Sequence, residues 1–312
     1  MAGNRHWSPA TPEIVMRLAG RRTSQNVEDR RGMGTPLAVG GGIGTLILAL
    51  IVMFLGGNPL QVIQNQGGGG QVAVGPGGGG GPAAELSAQD QERGKFASQV
   101  LALSEDVWNE LFPRWSQVDP DVPPQYQPPT MVLFSQQVRS GCGMASAASG
   151  PFYCPADRKV YLDTQFFDVM ERRLNAPGDF AQAYVIAHEV GHHIQKLLGA
   201  TDVVEQVRRS QPETIANQYS VRLELQADYY AGVMFHHSQR MMQILERGDI
   251  EEGLNAASMI GDDRLQIQAK GYANQESFTH GSSAQRVRWF RAGLESGDPT
   301  RGNTFAIEYE QL

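Results

Sequence analysis

Basic residues are in short supply: 26 Lys and Arg stand against 33 Asp and Glu, leaving a net charge of -7 over 312 residues. That balance argues against a nucleic-acid-binding surface. Cysteine is almost absent. The two present, Cys142 and Cys154, are separated by eleven residues rich in Gly, Ala and Ser. Outside the cytoplasm, a disulfide closing that loop is the natural reading. Two reduced buried thiols, a metal site and a Cys nucleophile are the alternatives.

Charge is missing altogether from Leu37 to Leu55, and no Lys or Arg follows until Arg93. Nineteen residues at about 1.5 Å each reach about 28 Å, enough for the hydrocarbon core of a bilayer. Five arginines lie within twenty residues on the N-terminal side. The positive-inside rule therefore predicts one transmembrane helix over residues 37–56, a cytoplasmic N-terminus and an extracytoplasmic remainder. A cleaved signal peptide and a buried core helix are the rival readings. Residues 1–36 have no sustained apolar period and read as a basic cytoplasmic tail, mostly extended or disordered. Residues 57–84 are Gly-rich and read as a flexible linker. Residues 85–312 remain as the globular domain.

What is present in that domain is His188-Glu189-Val190-Gly191-His192, inside an apolar run from Phe180 to Leu198 that Gly199 ends. The run reads as a helix, with Asp179 available as N-cap. Residues four apart share a helix face, so His188 and His192 can present two imidazoles to one metal ion. Glu189 is turned about 100° away, beside the ion, where it can take a proton from zinc-activated water. His193 is turned away by the same angle and is not expected to be a ligand.

Further elements follow from periodicity. Residues 88–112 read as a helix, and a proline-rich connector after it cannot be helical. Residues 130–134 and 159–163 read as strands, and an exposed strand edge there can accept an extended peptide. Residues 213–234 read as a second helix carrying Glu224 and Asp228 one turn apart. Glu224 can complete a His₂Glu zinc site, and Asp228 can accept the other ring N–H of a ligand histidine. Thr279 or Ser282 can cap a last helix, and His280 or Arg286 can donate to an oxyanion. His236 and His237 read as supporting or surface residues.

With these residues in view, nearly the whole chain resembles a bacterial family of neutral zinc metallopeptidases with a single N-terminal membrane span. The resemblance is carried by Asn26-Val-Glu-Asp-Arg-Arg-Gly32, Gly150-Pro-Phe-Tyr-Cys-Pro155 and Val160-Tyr-Leu-Asp163. It continues through His188-Glu-x-Gly-His192-His-Ile-Gln195, Glu224-Leu-Gln-Ala-Asp228 and Thr279-His-Gly-Ser-Ser283. It implies an α+β, zincin-like fold. The Glu-x-x-Ala-Asp element is similar to that of the CAAX prenyl endopeptidase group of gluzincins, whose Glu is the third zinc ligand. Carried over, this implies His188, His192 and Glu224 as ligands of one Zn²⁺ per chain and Glu189 as catalytic base. In that group His-Pro-Ser follows the catalytic domain, whereas here Gly281 follows His280. The function expected is a membrane-anchored zinc metalloendopeptidase acting on protein or peptide substrates. The rival expectations are a membrane-tethered interaction protein with a structural zinc or inactive domain, and a zinc hydrolase of non-peptide bonds.

Overall fold

The computed structural model describes residues 16–32, 85–146 and 150–312. The expected span at 37–56 and linker at 57–84 lie outside them. Among the described residues no helix is long and apolar enough to cross a membrane.

The architecture is mixed α and β. A four-stranded sheet has the order β1 (Val27–Asp29), β2 (Thr130–Phe134), β6 (Lys159–Asp163), β5 (Phe152–Cys154). The first three strands run parallel and β5 runs antiparallel to β6. Both strands expected from sequence are present with the expected limits, and they pair with each other in the register Met131↔Val160 and Leu133↔Leu162. Side chains alternate between faces along a strand. Met131, Leu133, Val160 and Leu162 therefore face the main core. Val132, Phe134, Tyr161 and Cys154 form a second cluster with Val138. Val138 lies on a hairpin of β3 (Gln137–Ser140) and β4 (Gly143–Ser146). A disulfide joins Cys142 at the turn of this hairpin to Cys154 on β5.

The main core lies between the sheet and a helical layer. Helix α1 (Ala88–Trp115) runs one turn past the expected end, and α2 (Phe166–Arg172) follows the sheet. The central helices are α3 (Asp179–Leu197) and α5 (Glu213–Met242), with α4 (Ala200–Ser210) between them in sequence. Then come α6 (Asp249–Met259), α7 (Asp262–Lys270) and α8 (Ser283–Ser296). Ser282 caps α8 in a reciprocal capping box with Gln285. Helix α5 runs two turns past its expected end because Phe235, His237 and Ser238 remain buried there.

Two close backbone approaches set the helix positions. A Cβ at Gly293 would lie 2.0 Å from the Tyr229 carbonyl oxygen, so α8 meets α5 backbone to backbone. A Cβ at Gly191 would lie 2.8 Å from the Ala227 carbonyl oxygen, which draws α3 against α5 in the same way. Glycine at these positions lets three helices share one crossing region, and the functional side chains sit there.

The N-terminal segment departs from expectation. Residues 16–32, expected within an extended or disordered tail, are part of the folded unit. Met131 N–H donates to the Asn26 carbonyl at 2.8 Å, and Arg30 N–H donates to the Leu133 carbonyl at 2.8 Å. Met16 and Leu18 are buried in the core. Asn26 donates to Glu105 at 2.8 Å, and Lys159 pairs with Glu28 at 2.5 Å. The Asn-Val-Glu-Asp-Arg-Arg sequence is thus an edge strand with its polar partners. A strand bonded into a sheet lies on the same side of any membrane as that sheet. The expected division, with residues 1–36 cytoplasmic and residues 85–312 outside, is therefore corrected for residues 16–32.

This has a direct test. Thr23→Cys and Glu213→Cys each introduce an exposed thiol, one on the N-terminal segment and one on the domain. A membrane-impermeant maleimide should label both from the same face of sealed cells or vesicles. Labelling from opposite faces would contradict the strand pairing.

Candidate metal centre

Helix α3 brings His188 and His192 onto one face, with ring centroids 4.7 Å apart and ring planes nearly perpendicular. Helix α5 brings Glu224 between them. Its Oε2 lies 3.2 Å from His188 Nε2, and its Oε1 lies 3.6 Å from His192 Nε2. One ligand atom from each of the three lies within 4.8 Å of the others.

The opposite ring nitrogens are held by buried partners. His188 Nδ1 donates to Asp228 Oδ1 at 2.9 Å, as expected of an Asp one turn beyond Glu224. His192 Nδ1 donates to Gln195 Oε1 at 2.8 Å. The Gln195 amide is oriented in turn by donating to the Leu223 carbonyl at 2.6 Å and to Gln226 Oε1 at 3.1 Å. An acceptor at each Nδ1 holds a hydrogen there and turns each Nε2 toward Glu224, where a bound cation would take the place of a second ring proton.

Asp228 is fully buried and accepts from three directions. Arg286 on α8 donates through Nε at 2.8 Å and Nη2 at 3.0 Å, and Tyr184 O–H donates at 2.5 Å. Burial alone would raise the Asp228 pKa. The Arg286 guanidinium and then His188 outweigh that and hold it at about 2. Burial would likewise lower the pKa of His188, but Asp228 and Glu224 outweigh it and raise it to about 9. The pocket thus favours positive charge at the point the imidazoles and Glu224 share. Two imidazoles and a carboxylate around one point are a known zinc donor set, so the residues fit that ion.

The triad lines a cleft of ≈ 370 Å³ together with Glu189 and His280. Glu189 is 8% exposed, and among the described residues no hydrogen bond engages its carboxylate. His280 is held through Nδ1 by Asp262 Oδ1 at 3.1 Å. The same Asp262 carboxylate accepts the backbone N–H groups of Thr279 and His280, both at 2.6 Å. Arg286, the other candidate oxyanion donor, is 2% exposed and commits its charge to Asp228.

Among the described residues the remaining histidines have structural partners. His193 Nε2 donates to the Gln127 carbonyl at 2.6 Å, and burial lowers its pKa to about 4, leaving the ring neutral. His236 and His237 donate to the Leu294 and Gly297 carbonyls. Sequence reading did not single out Tyr184, Gln195 or Asp262. Tyr184 and Gln195 were within reach, since they lie four residues before His188 and three after His192, on the ligand face. Asp262 carried no local signal.

Fold and site together define a mixed α and β protein in which two histidines and a glutamate, a set that could hold a metal ion, line a cleft with the Glu189 carboxylate. The chain belongs to the family described as "Putative neutral zinc metallopeptidase", whose model matches residues 16–305. It is 44% identical over 297 residues to the uncharacterized protein YpfJ of Escherichia coli (strain K12), covering 93% of this chain and 99% of that one. It is 45% identical over 193 residues to the uncharacterized protein Rv2575 of Mycobacterium tuberculosis (strain H37Rv), covering 59% of this chain and 64% of that one. No solved structure matches.

Proposed function

We propose that this chain is a zinc metalloendopeptidase in which His188, His192 and Glu224 hold one zinc ion and Glu189 is the general base. The observation that carries the proposal is the convergence of two oriented imidazole nitrogens and the Glu224 carboxylate in a cleft shared with Glu189. Bound zinc supplies Lewis-acid polarisation of a carbonyl and a lowered pKa for water. Glu189 then takes the proton from the attacking water and returns it to the leaving amine. In this reading His280, held by Asp262, donates toward the oxygen that becomes negative.

The cleft suits an extended peptide. Among the described residues strand β5 pairs with β6 alone and stands at the edge of the sheet, and its residues Phe152 and Tyr153 line the cleft. A peptide added to that edge gains backbone hydrogen bonds and lies alongside the site. Met170, Leu174, Leu223 and Ile260 also line the cleft, which favours an apolar side chain near the scissile bond.

The structural-zinc reading calls for four protein ligands, leaving no room for water. Among the described residues only three converge, and both cysteines are in the disulfide. That disulfide persists in an oxidising compartment, which supports an extracytoplasmic face for the domain. If residues 37–55 attach the chain to a bilayer, residues 16–32 and 85–312 share one face of it.

The test uses the full chain, since residues 85–312 alone would lack β1. Purified protein should contain one zinc per chain and cleave casein. A chelator should remove both the metal and the activity, and added zinc should restore them. Absence of zinc would overturn the metal site, while one zinc with no cleavage of casein or an unfolded-peptide library would overturn the peptidase assignment.

A further inference from the structure

A second group of carboxylates lies at the other end of the active-site helix. Asp179 stands in the first turn of α3, and Asp249 and Glu252 stand in the first turn of α6. One oxygen from each lies within 4.8 Å of the others. Acidic residues commonly occupy a helix's first turn, where the dipole favours them. That accounts for each acid separately but not for their convergence.

The hydrogen bonding leaves each of the three incomplete. Asp249 is 0% exposed; its Oδ2 accepts the Glu246 N–H at 2.8 Å, and its buried Oδ1 has no partner. Asp179 accepts the Met16 N–H through Oδ2 at 2.5 Å and keeps a buried, unpartnered Oδ1. The Phe180 backbone N–H stabilises the Glu252 carboxylate, while its buried Oε2 makes no hydrogen bond of good geometry. Among the described residues no Lys, Arg or His pairs with any of the three, and the nearest ion pair joins Arg17 to Glu246. Buried carboxylate oxygens without donors are costly and rare, and three that converge call for a shared positive partner.

Local backbone keeps room for the group. Gly178, just before Asp179, has φ +105, and a Cβ there would lie 2.0 Å from Glu252 Oε2. The expectation that Asp179 caps α3 is corrected here: Gly178 is the N-cap, and no side chain caps the helix. The Asp179 carboxylate faces the other two acids instead.

We infer that Asp179, Asp249 and Glu252 form a binding site for a hard divalent cation, of the calcium class, distinct from the zinc centre. The donor chemistry selects the class: three carboxylates with no nitrogen or sulfur suit calcium or magnesium rather than zinc. The ion would tie three segments together: the N-terminal segment through Met16 and Asp179, the start of α3, and the start of α6. It thereby supports the end of the helix that carries His188 and His192.

The same geometry shapes proton binding without the ion. Burial first, then the neighbouring acids, raise Asp179 to about 6 and Glu252 to about 7. Asp249 is raised as well, by burial first and then by Glu246 and Glu251. Folded-state values above the unfolded ones give stability that is fully present below about pH 4 and lost as pH rises through 6 and 7. Cation binding should reverse that loss, because it needs the ionised acids.

The experiment is thermal unfolding of the zinc-loaded full chain at pH 7.5, with and without calcium chloride. Saturating calcium should raise the melting temperature by about 5–10 °C, the shift expected for a ligand near 100 times its dissociation constant. One calcium per chain should accompany the single zinc. Glu252→Gln and Asp249→Asn should each abolish the calcium shift and retain the zinc. In calcium-free buffer Glu252→Gln should melt no lower than wild type, since one of the opposed charges is gone. No shift with calcium, magnesium or manganese would overturn the site, as would a calcium shift that persists in Glu252→Gln. The wild-type calcium stoichiometry decides the question even if Asp249→Asn fails to fold.

Discussion

Glu189→Gln is expected to bind one zinc per chain, melt within about 2 °C of wild type, and lose casein hydrolysis by about 10²- to 10⁴-fold, the usual contribution of a positioned general base. Zinc should stay because the substitution leaves His188, His192 and Glu224 unchanged, along with the Asp228 and Gln195 contacts that orient the imidazoles. Stability should stay because among the described residues no hydrogen bond engages the Glu189 carboxylate. Gln has the same shape and fills the same space. Activity should go because a carboxamide cannot accept and return a proton near neutral pH. His192→Ala, by contrast, should lose zinc and activity together. Metal content and initial rate measured on the same preparations separate the two roles. Hydrolysis by Glu189→Gln within tenfold of wild type would remove Glu189 as the base.

The second large effect concerns the buried pair behind the metal site. Asp228 is 0% exposed and Arg286 2%, and they are joined by two hydrogen bonds. Breaking a buried pair from one side leaves an uncompensated charge and costs about 3–5 kcal/mol. Arg286→Met should therefore lower the melting temperature by about 6–20 °C for a domain of this size. Asp228→Asn should do the same and should also weaken zinc binding by about 10- to 100-fold, because it replaces the charged acceptor that orients His188 with a neutral, weaker one and adds an amide donor. The double variant Asp228→Asn/Arg286→Met should be clearly more stable than the sum of the two single losses predicts, since neither charge is then stranded. Additive losses in that cycle would mean that the two groups act independently, contrary to the geometry.

These expectations mix what can be read locally with what cannot. The His-Glu-x-x-His helix was legible because its apolar period and its ligand spacing repeat within four residues. Helix α5 with Glu224 and Asp228 was legible for the same reason. The strands at 130–134 and 159–163 stood out as short apolar, β-branched runs. Strand β1 did not, because Val27–Asp29 is three residues long and two of them are acidic. Its place depends on β2, Glu105 of α1 and Lys159, all more than 70 positions away in the chain. Reading it as tail also separated it from the sheet it joins. Asp179 was read as a helix cap, the usual local role for an Asp there. Its neighbours Asp249 and Glu252, which come from another helix, decide otherwise.

By itself the sequence determined the candidate metal ligands, the candidate base and the helices that carry them, because motif spacing and helical period are properties of neighbouring residues. Only the tertiary structure decided which charges pair, which strand completes the sheet, and where three carboxylates meet. Met16 and Asp179 are 163 positions apart, and Asp228 and Arg286 are 58 apart. No local pattern encodes contacts over such separations. They arise when the glycine crossings of α3, α5 and α8 bring the helices close enough for buried charges to require partners.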